Sequence, residues 1–500
     1  MATRVDHCVI RGGRVLDIRR HAAELADILV VGDTIREIGP PGLEAPAGAV
    51  VIEAADLLLL PGLVNAHTHG HGHLGKGSGD RWTLELLLNA GPALNSNRTL
   101  EDKYLACLLG GLDMIRAGTT ACYDLFYEFP LPSFEGLEAA ARGYRDAGLR
   151  VVLAPMVADH SFYEAIHGLL EALPAAQREM VERFRLAPAA ETLSALEAIV
   201  SRWPFDASEA GLALAPTIPL HCSDDFLTAC SSLARGASLG LHMHLAESKV
   251  QAVAGMRRYG RTLTAHIESL GVLGPHFTAA HAVWLDDDDI SRLADHGASI
   301  AHNPGSNLRL GSGIAPARRM RERGLSVGIG TDGSQCSDNQ NMFEATRLAS
   351  FSSRIVSPDP ECWLSTDEAL TMATEGSARA LGLGRHVGRI APGLKADIVF
   401  LDLGNLNFVP FNDPTNQVVL TENGAAVDSV MIGGRIVLDR GRFTTFDVHR
   451  LRERVSERVA ALREQNRDLA ALTLGLEKVV SHFCVGLARS HYHVERFVPA

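Results

Sequence analysis

Apolar residues change their spacing along this chain in a regular order, and that order predicts a fold. HCVIRGGRVLD (7–17), ADILVVGDTIREIG (26–39) and AVVIEA (49–54) are short β-branched runs broken by Gly, Pro and Asp. That is the texture of strands and turns. It returns late, in GRIAPGLKADIVFLDL (388–403) and VDSVMIGGRIVLDRGRF (427–443). Like runs at the two ends predict a small β-sandwich domain built from residues 1–58 and 386–445.

The middle, residues 59–385, alternates instead. Strand-like apolar runs fall at 59–67, 118–124, 150–157, 211–218, 238–247, 277–283, 298–304 and 326–332. Helix-like stretches such as LEDKYLACLLGGLDMIRAG (100–118) and DDDDISRLADHG (286–297) lie between most of them. Eight strand–helix alternations predict an α/β fold of the (β/α)8 TIM-barrel type. A doubly wound open sheet is the rival. It is disfavoured because the candidate ligand residues end strands one, five, six and eight, which only a closed ring brings together. In residues 446–500, Val448, Leu451, Val455, Val459 and Leu462 keep helical spacing, as do Leu476, Val479, Val480, Phe483 and Leu487. A C-terminal helical extension is expected there, packed on the barrel or on a partner subunit.

Composition narrows the class. An apolar share of 46% and a charged share of 21% are those of a globular protein. A net charge of −12 offers no basic footprint, so neither nucleic acid nor an acidic membrane surface is expected as a partner. The N-terminal residues form no apolar signal core, and no uninterrupted apolar run reaches the ~18 residues of a membrane span. Eight cysteines are scattered without a CxxC pair, which leads us to expect a reduced, cytoplasmic chain.

The chemistry begins at PGLVNAHTH (61–69). Side chains two apart on a strand share a face, so His67 and His69 project together from its C-terminal end. Strand five ends in HMHLAE (242–247), strand six at His281, strand seven at His302, and strand eight at Asp332 in GTDG (330–333). Barrel enzymes place their catalytic groups at such strand ends. Imidazoles and one carboxylate could hold a single divalent ion with a position left open for water. The ion would bring that water's pKa toward ~7, and Glu247 could then carry a proton to a leaving nitrogen. Periodicity alone does not separate His242 from His244. GHGHLG (70–75) formally matches GxGxxG, but position 95 is Asn where a dinucleotide site needs an acid. Gly77 likewise defeats a P-loop reading. HExxH and the HxE…PCxxC deaminase signature are absent.

With PGLVNAHTH, HLAE (244–247), AHAVWL (280–285), AHNPGSNLRLGSG (301–313) and GTDG, the chain resembles the amidohydrolase superfamily. The likeness is to its cytosine-deaminase-like, triazine-hydrolase-like branch and covers residues 5 to about 445. The resemblance implies that His67, His69, His244 and Asp332 bind one metal ion, zinc or alternatively iron. It implies that Asp332 accepts the water's proton, that Glu247 protonates the leaving group, and that His281 hydrogen-bonds the nucleophile or the developing oxyanion. Binuclear relatives use a strand-four lysine, and GLALAPTIPLHCSDD (211–225) has none, which points to a mononuclear site. Thr217 stands where many adenosine-type relatives carry a ligand-touching histidine. Trp82, Thr217 and His302 are therefore the candidate substrate contacts, with Lys76, Asp80 and Glu85 at the pocket mouth and His71 and His73 as loop residues. The expected activity is hydrolysis of a C–N bond in a small molecule, foremost deamination of a purine-, pyrimidine-, pterin- or triazine-type ring. Amide, urea or carbamate hydrolysis is the alternative, and a non-catalytic barrel the remote one. A homo-oligomer, dimer or tetramer, is expected.

Overall fold

The computed structural model describes residues 6–182, 185–337 and 339–498. Its organising division falls inside a single apolar run. Leu57–Pro61 belongs to a nine-stranded mixed sheet, whereas Leu63–Thr68 opens an eight-stranded parallel one. The first barrel strand, expected from residue 59, therefore starts at 63. Gly62 makes the junction: a Cβ there would stand 2.1 Å from Thr120 Oγ1, so only glycine lets the two segments pass.

In the nine-stranded sheet, Leu57–Pro61 is flanked by strands from both chain ends. His7–Asp17 pairs with it on one side and Ile398–Asp402 on the other, with Leu59 opposite Phe400. Ile10, Ile28, Ile35, Leu59, Ile398 and Phe400 form its core.

The second sheet runs in strict sequence order from Leu63–Thr68 through Thr119–Tyr127, Arg150–Val157, Gly211–Pro216, Gly240–Leu245, Phe277–His281 and Ser299–His302 to Ser326–Ile329. It is a nearly closed barrel. Its ends meet where Asp332 N donates to His67 O (2.9 Å) and Thr331 N donates to Asn65 Oδ1 (3.0 Å). Barrel and outer sheet are joined by a buried ion pair, Arg150 Nη2 to Asp397 Oδ1 at 3.1 Å. Asp397 Oδ1 also accepts Gly433 N at 2.8 Å.

Two helices, Val448–Gln465 and Arg467–Ala488, form the C-terminal extension. Arg458 grips Asp102 with two hydrogen bonds of 2.8 and 2.9 Å. Arg467–Ala488 buries Leu472, Leu476, Val480, Cys484 and Leu487, a single helical stripe, in the main core. It packs along the helix Leu84–Asn95, where Asn89 Nδ2 donates to Thr473 O at 2.9 Å. Among the described residues it alone is long and apolar enough to cross a membrane, a reading the run of strictly apolar residues does not give. Residues 492–497 fold back over the loop after strand six. Arg496 Nε donates to Val283 O (3.0 Å), and Phe497 meets the Trp284 ring at 5.1 Å.

Candidate active site

Closing the barrel brings together residues that the sequence spreads over 266 positions, from His67 to Asp332. The ligating atoms of His67, His69 and His244 lie within 4.8 Å of one another, and those of His67, His281 and Asp332 do the same. Asp332 Oδ1 is 3.6 Å from His67 Nε2 and 3.3 Å from His69 Nε2, while its Oδ2 is 3.7 Å from His281 Nε2. Glu247 Oε2 faces the same His281 nitrogen at 3.6 Å.

Three of the imidazoles are aimed by what their other nitrogen does. His69 Nδ1 is 2.8 Å from Leu125 O, and His244 Nδ1 is 2.8 Å from Thr217 O. A carbonyl only accepts, so both rings carry their proton on Nδ1 and present a bare Nε2 to the cluster. His281 Nδ1 meets Asn307 Oδ1 at 2.9 Å in the same manner. His67 has no hydrogen-bond partner at either ring nitrogen, and His281 has none at Nε2, although both rings are buried. Buried polar atoms are normally satisfied. Orphaned nitrogens converging on one carboxylate fit a bound cation, and the nitrogen and oxygen donors suit zinc or iron.

The loops that deliver these groups are strained. Ala246, His281, Ala282 and Asp332 have positive φ, at 48°, 68°, 52° and 63°. Non-glycine residues adopt that region at a cost and only where the surroundings hold them. Asp332 is held by Gln340, whose Nε2 donates to its carbonyl at 2.9 Å. Gln340 Oε1 in turn accepts the hydroxyls of Thr68 (2.9 Å) and Thr331 (2.7 Å).

Electrostatics divide the two acids. Burial, with Asp332 and Glu85 nearby, drives the Glu247 carboxyl well above its ordinary range, as suits a proton carrier. Burial also raises Asp332, but the imidazoles of His281 and His69 outweigh it and hold that carboxyl low. Burial lowers His67 well below the usual imidazole value, helped by His69 and His244, and leaves it the neutral form a metal needs.

A cavity of about 200 Å³ opens onto this cluster, and His69, His244, Glu247, His281 and Asp332 line its inner end. Thr217 lines it as well, and its carbonyl also orients His244. His302 is buried outside the cavity wall, with burial taking its imidazole down to about 4. Trp82 likewise does not line the cavity; it packs by Gly79 and the cluster of Leu84, Leu87, Leu310 and Cys336. His242 stays out of the ligand cluster and lies edge-on to the Tyr123 ring at 4.3 Å. Lys76 pairs with Asp113, Asp80 is exposed, and buried Glu85 accepts the Ser248 hydroxyl at 2.7 Å. His71 and His73 are buried on the 3-10 turn Gly70–Gly75, where Tyr127 N donates to His71 and Ser334 meets His73. The cavity wall that sequence reading missed is one face of Leu84–Asn95, namely Leu84, Leu87, Leu88, Gly91, Pro92 and Asn95. Their helical spacing was the available signal. Asn307 and Gln340 carried none, because their roles depend on loops folding back.

Fold and site together define a class: barrel hydrolases that gather histidines and an aspartate at the C-terminal ends of their strands. The model of the Amidohydrolase family matches residues 58–437, and the chain belongs to that family. The 5-methylthioadenosine/S-adenosylhomocysteine deaminase of Moorella thermoacetica is 33% identical over 438 residues, which are 86% of this chain and 94% of the relative. A 5'-deoxyadenosine deaminase of Methanothermobacter thermautotrophicus is 31% identical over 447 residues, covering 88% and 95%. Among solved structures, an adenosine deaminase from Xanthomonas campestris with bound zinc superposes with a TM-score of 0.80 at 26% identity, covering 92% of this chain and 99% of that one. An atrazine chlorohydrolase from Arthrobacter aurescens complexed with zinc gives 0.80 at 26% identity, covering 91% and 100%. The resemblance read from PGLVNAHTH, HLAE and GTDG is borne out, and the chain is a hydrolase of C–N bonds.

Proposed function

We propose that this protein is a mononuclear metal aminohydrolase that replaces the amino group of an N-heteroaromatic ring with oxygen. The observation that carries this reading is the cluster of His67, His69 and His244, with the Asp332 carboxylate facing His67 and His69, beside a buried Glu247 whose carboxyl burial pushes well above its ordinary range. Relatives named for adenosine-type deamination and for triazine hydrolysis support the ring class, and neighbours named with zinc support zinc.

The three imidazoles and Asp332 would hold one ion per chain. When bound, the ion would render water nucleophilic near neutral pH and polarise the attacked carbon. The Asp332 carboxylate takes up the proton that the attacking water releases. Glu247 hands its proton to the ring nitrogen, regains one from the hydroxyl formed on the attacked carbon, and passes that one to the departing amine, which is why its raised pKa matters. Neutral His281, with its Nδ1 proton committed to Asn307, accepts a hydrogen bond from the water through Nε2. It lies between both acids and becomes a donor to the developing oxyanion once protonated.

Two further features belong to this reading. The cysteines of the described residues are all unpaired, which favours the cytoplasm. Leu474 (67% exposed) and Val485 (37%) lie on the outer side of Arg467–Ala488, which favours a homo-oligomer. The test is metal content of the purified protein beside ammonia release from purines, pyrimidines, pterins and triazines. One metal per chain with ammonia from a ring substrate is the expected result. One metal without ammonia points to amide, urea or carbamate substrates. No metal after reconstitution overturns the proposal.

A further inference from the structure

Away from the metal end, the cavity changes character. The Leu84–Asn95 helix turns Leu84, Leu87 and Leu88 into it, and Phe129, Phe162 and Leu186 add to the apolar wall. Among the described residues no lysine or arginine lines it, and its only carboxylates are Glu247 and Asp332 at the inner end. The nearby charges are turned elsewhere. Glu85, on the same helix, accepts the Ser248 hydroxyl, and exposed Arg185 donates through Nε to the Glu182 carbonyl (3.1 Å). The polar groups that do face the cavity are uncharged or already paired. Burial holds His221 down to about 4, Tyr127 N donates to His71 Nδ1 at 3.1 Å, and His160 faces Asp159 at 3.0 Å.

We infer that this arm of the cavity receives an uncharged hydrophobic substituent of the ring substrate, an alkyl, alkylthio or aryl group. It discriminates against substrates that carry a carboxylate or an ammonium group there. An ion entering the arm sheds its water and meets no counter-charge among the described residues, which is strongly unfavourable. An alkyl chain instead leaves water for an apolar wall, at about fourfold in affinity per buried methylene. The inference rests on the ring-hydrolase reading, because that reading puts the reacting carbon at the metal end and so directs the substituent outward. It names Leu84, Leu87 and Leu88 as residues that set specificity.

The experiment uses the full-length, metal-loaded enzyme and two matched pairs of amino-substituted rings. One pair is 5-methylthioadenosine against S-adenosylhomocysteine, which differ by a neutral thioether tail and a zwitterionic one. The other is an amino-triazine bearing an N-propyl group against one bearing N-carboxyethyl. Ammonia release gives kcat/KM, and calorimetry on the Glu247→Gln variant gives Kd without turnover. The neutral member of each pair should lead by about a hundredfold or more in both readouts. Leu88→Arg should narrow that gap at least about tenfold for the carboxylate substrates, with Leu88→Lys as the second variant. Charged members within tenfold of the neutral ones would overturn the inference while leaving deamination standing. No ammonia from any compound, with the same preference in Kd, would support the inference and overturn the ring-hydrolase reading. Neither turnover nor binding would overturn both.

Discussion

Nε2 of His69 lies 3.2 Å from Nε2 of His244, 175 residues further along the chain. Two imidazole nitrogens whose partner nitrogens already give protons to carbonyls have nothing to donate to each other. Only a shared proton or a cation between them relieves that contact, and the Asp332 carboxylate 3.3 Å from His69 makes the cation the fitting solution.

The two acids should therefore separate on substitution. Asp332→Asn and Glu247→Gln are both expected to abolish turnover. Asp332→Asn should also lose most of its metal, whereas Glu247→Gln should retain nearly all of it. Metal analysis of the two purified variants checks this, and equal metal loss would make Glu247 a ligand.

Asn307 should act through His281. Its Oδ1 fixes the His281 tautomer at 2.9 Å, so Asn307→Ala is expected to lower kcat by about tenfold to a hundredfold. KM and metal content should stay close to the parent values, and the pH profile of kcat should shift because the imidazole loses its fixed proton. A fall in metal content instead would show that the residue merely supports the fold.

The C-terminal tail should steady the loop that carries His281. Arg496 donates to the carbonyls of Val283 and Leu285, just beyond the strained pair His281 and Ala282. Arg496→Ala removes hydrogen bonds from a charged donor, a loss of about 1–3 kcal/mol of local stability. Amide exchange at 282–285 should accelerate about tenfold or more, with kcat reduced and the exchange of the nine-stranded sheet unchanged.

Asp27 should tie the outer sheet's stability to pH. Burial pushes its carboxyl up, but the amides of Gly12, Gly42 and Leu43 and the Arg11 guanidinium more than offset this and hold it below its ordinary 3.8. A depressed folded pKa stabilises fully above the unfolded value and is lost as pH falls through the folded one. The Tm difference between the parent and Asp27→Asn should thus be largest above about pH 5 and shrink toward pH 3. A constant difference across that range would mean that Asp27 contributes through shape alone.

Much of this architecture is legible before any coordinates. His67, His69 and the pair His242 and His244 announce themselves because strand periodicity is local, and a histidine at a strand end is rare enough to notice. The eightfold alternation of apolar strand and amphipathic helix likewise depends only on neighbours. Trp82 and His302 lie outside the cavity wall for the opposite reason. Nearness in sequence to a motif says nothing about which way a loop side chain turns.

By itself, then, the sequence indicated the strand order, the candidate metal-binding side chains with His242 and His244 not yet separated, and the acid that follows them, all of which reside in local spacing and residue type. The tertiary structure decided the rest. It divided the apolar run at Gly62, where Thr120 leaves no room for a side chain. It chose His244 over His242 by pointing one at His69 and the other at Tyr123. It turned the leucine face of Leu84–Asn95 into the cavity and Glu85 toward Ser248. Each choice depends on a partner more than fifty residues away, and contacts of that range are settled only when the barrel closes.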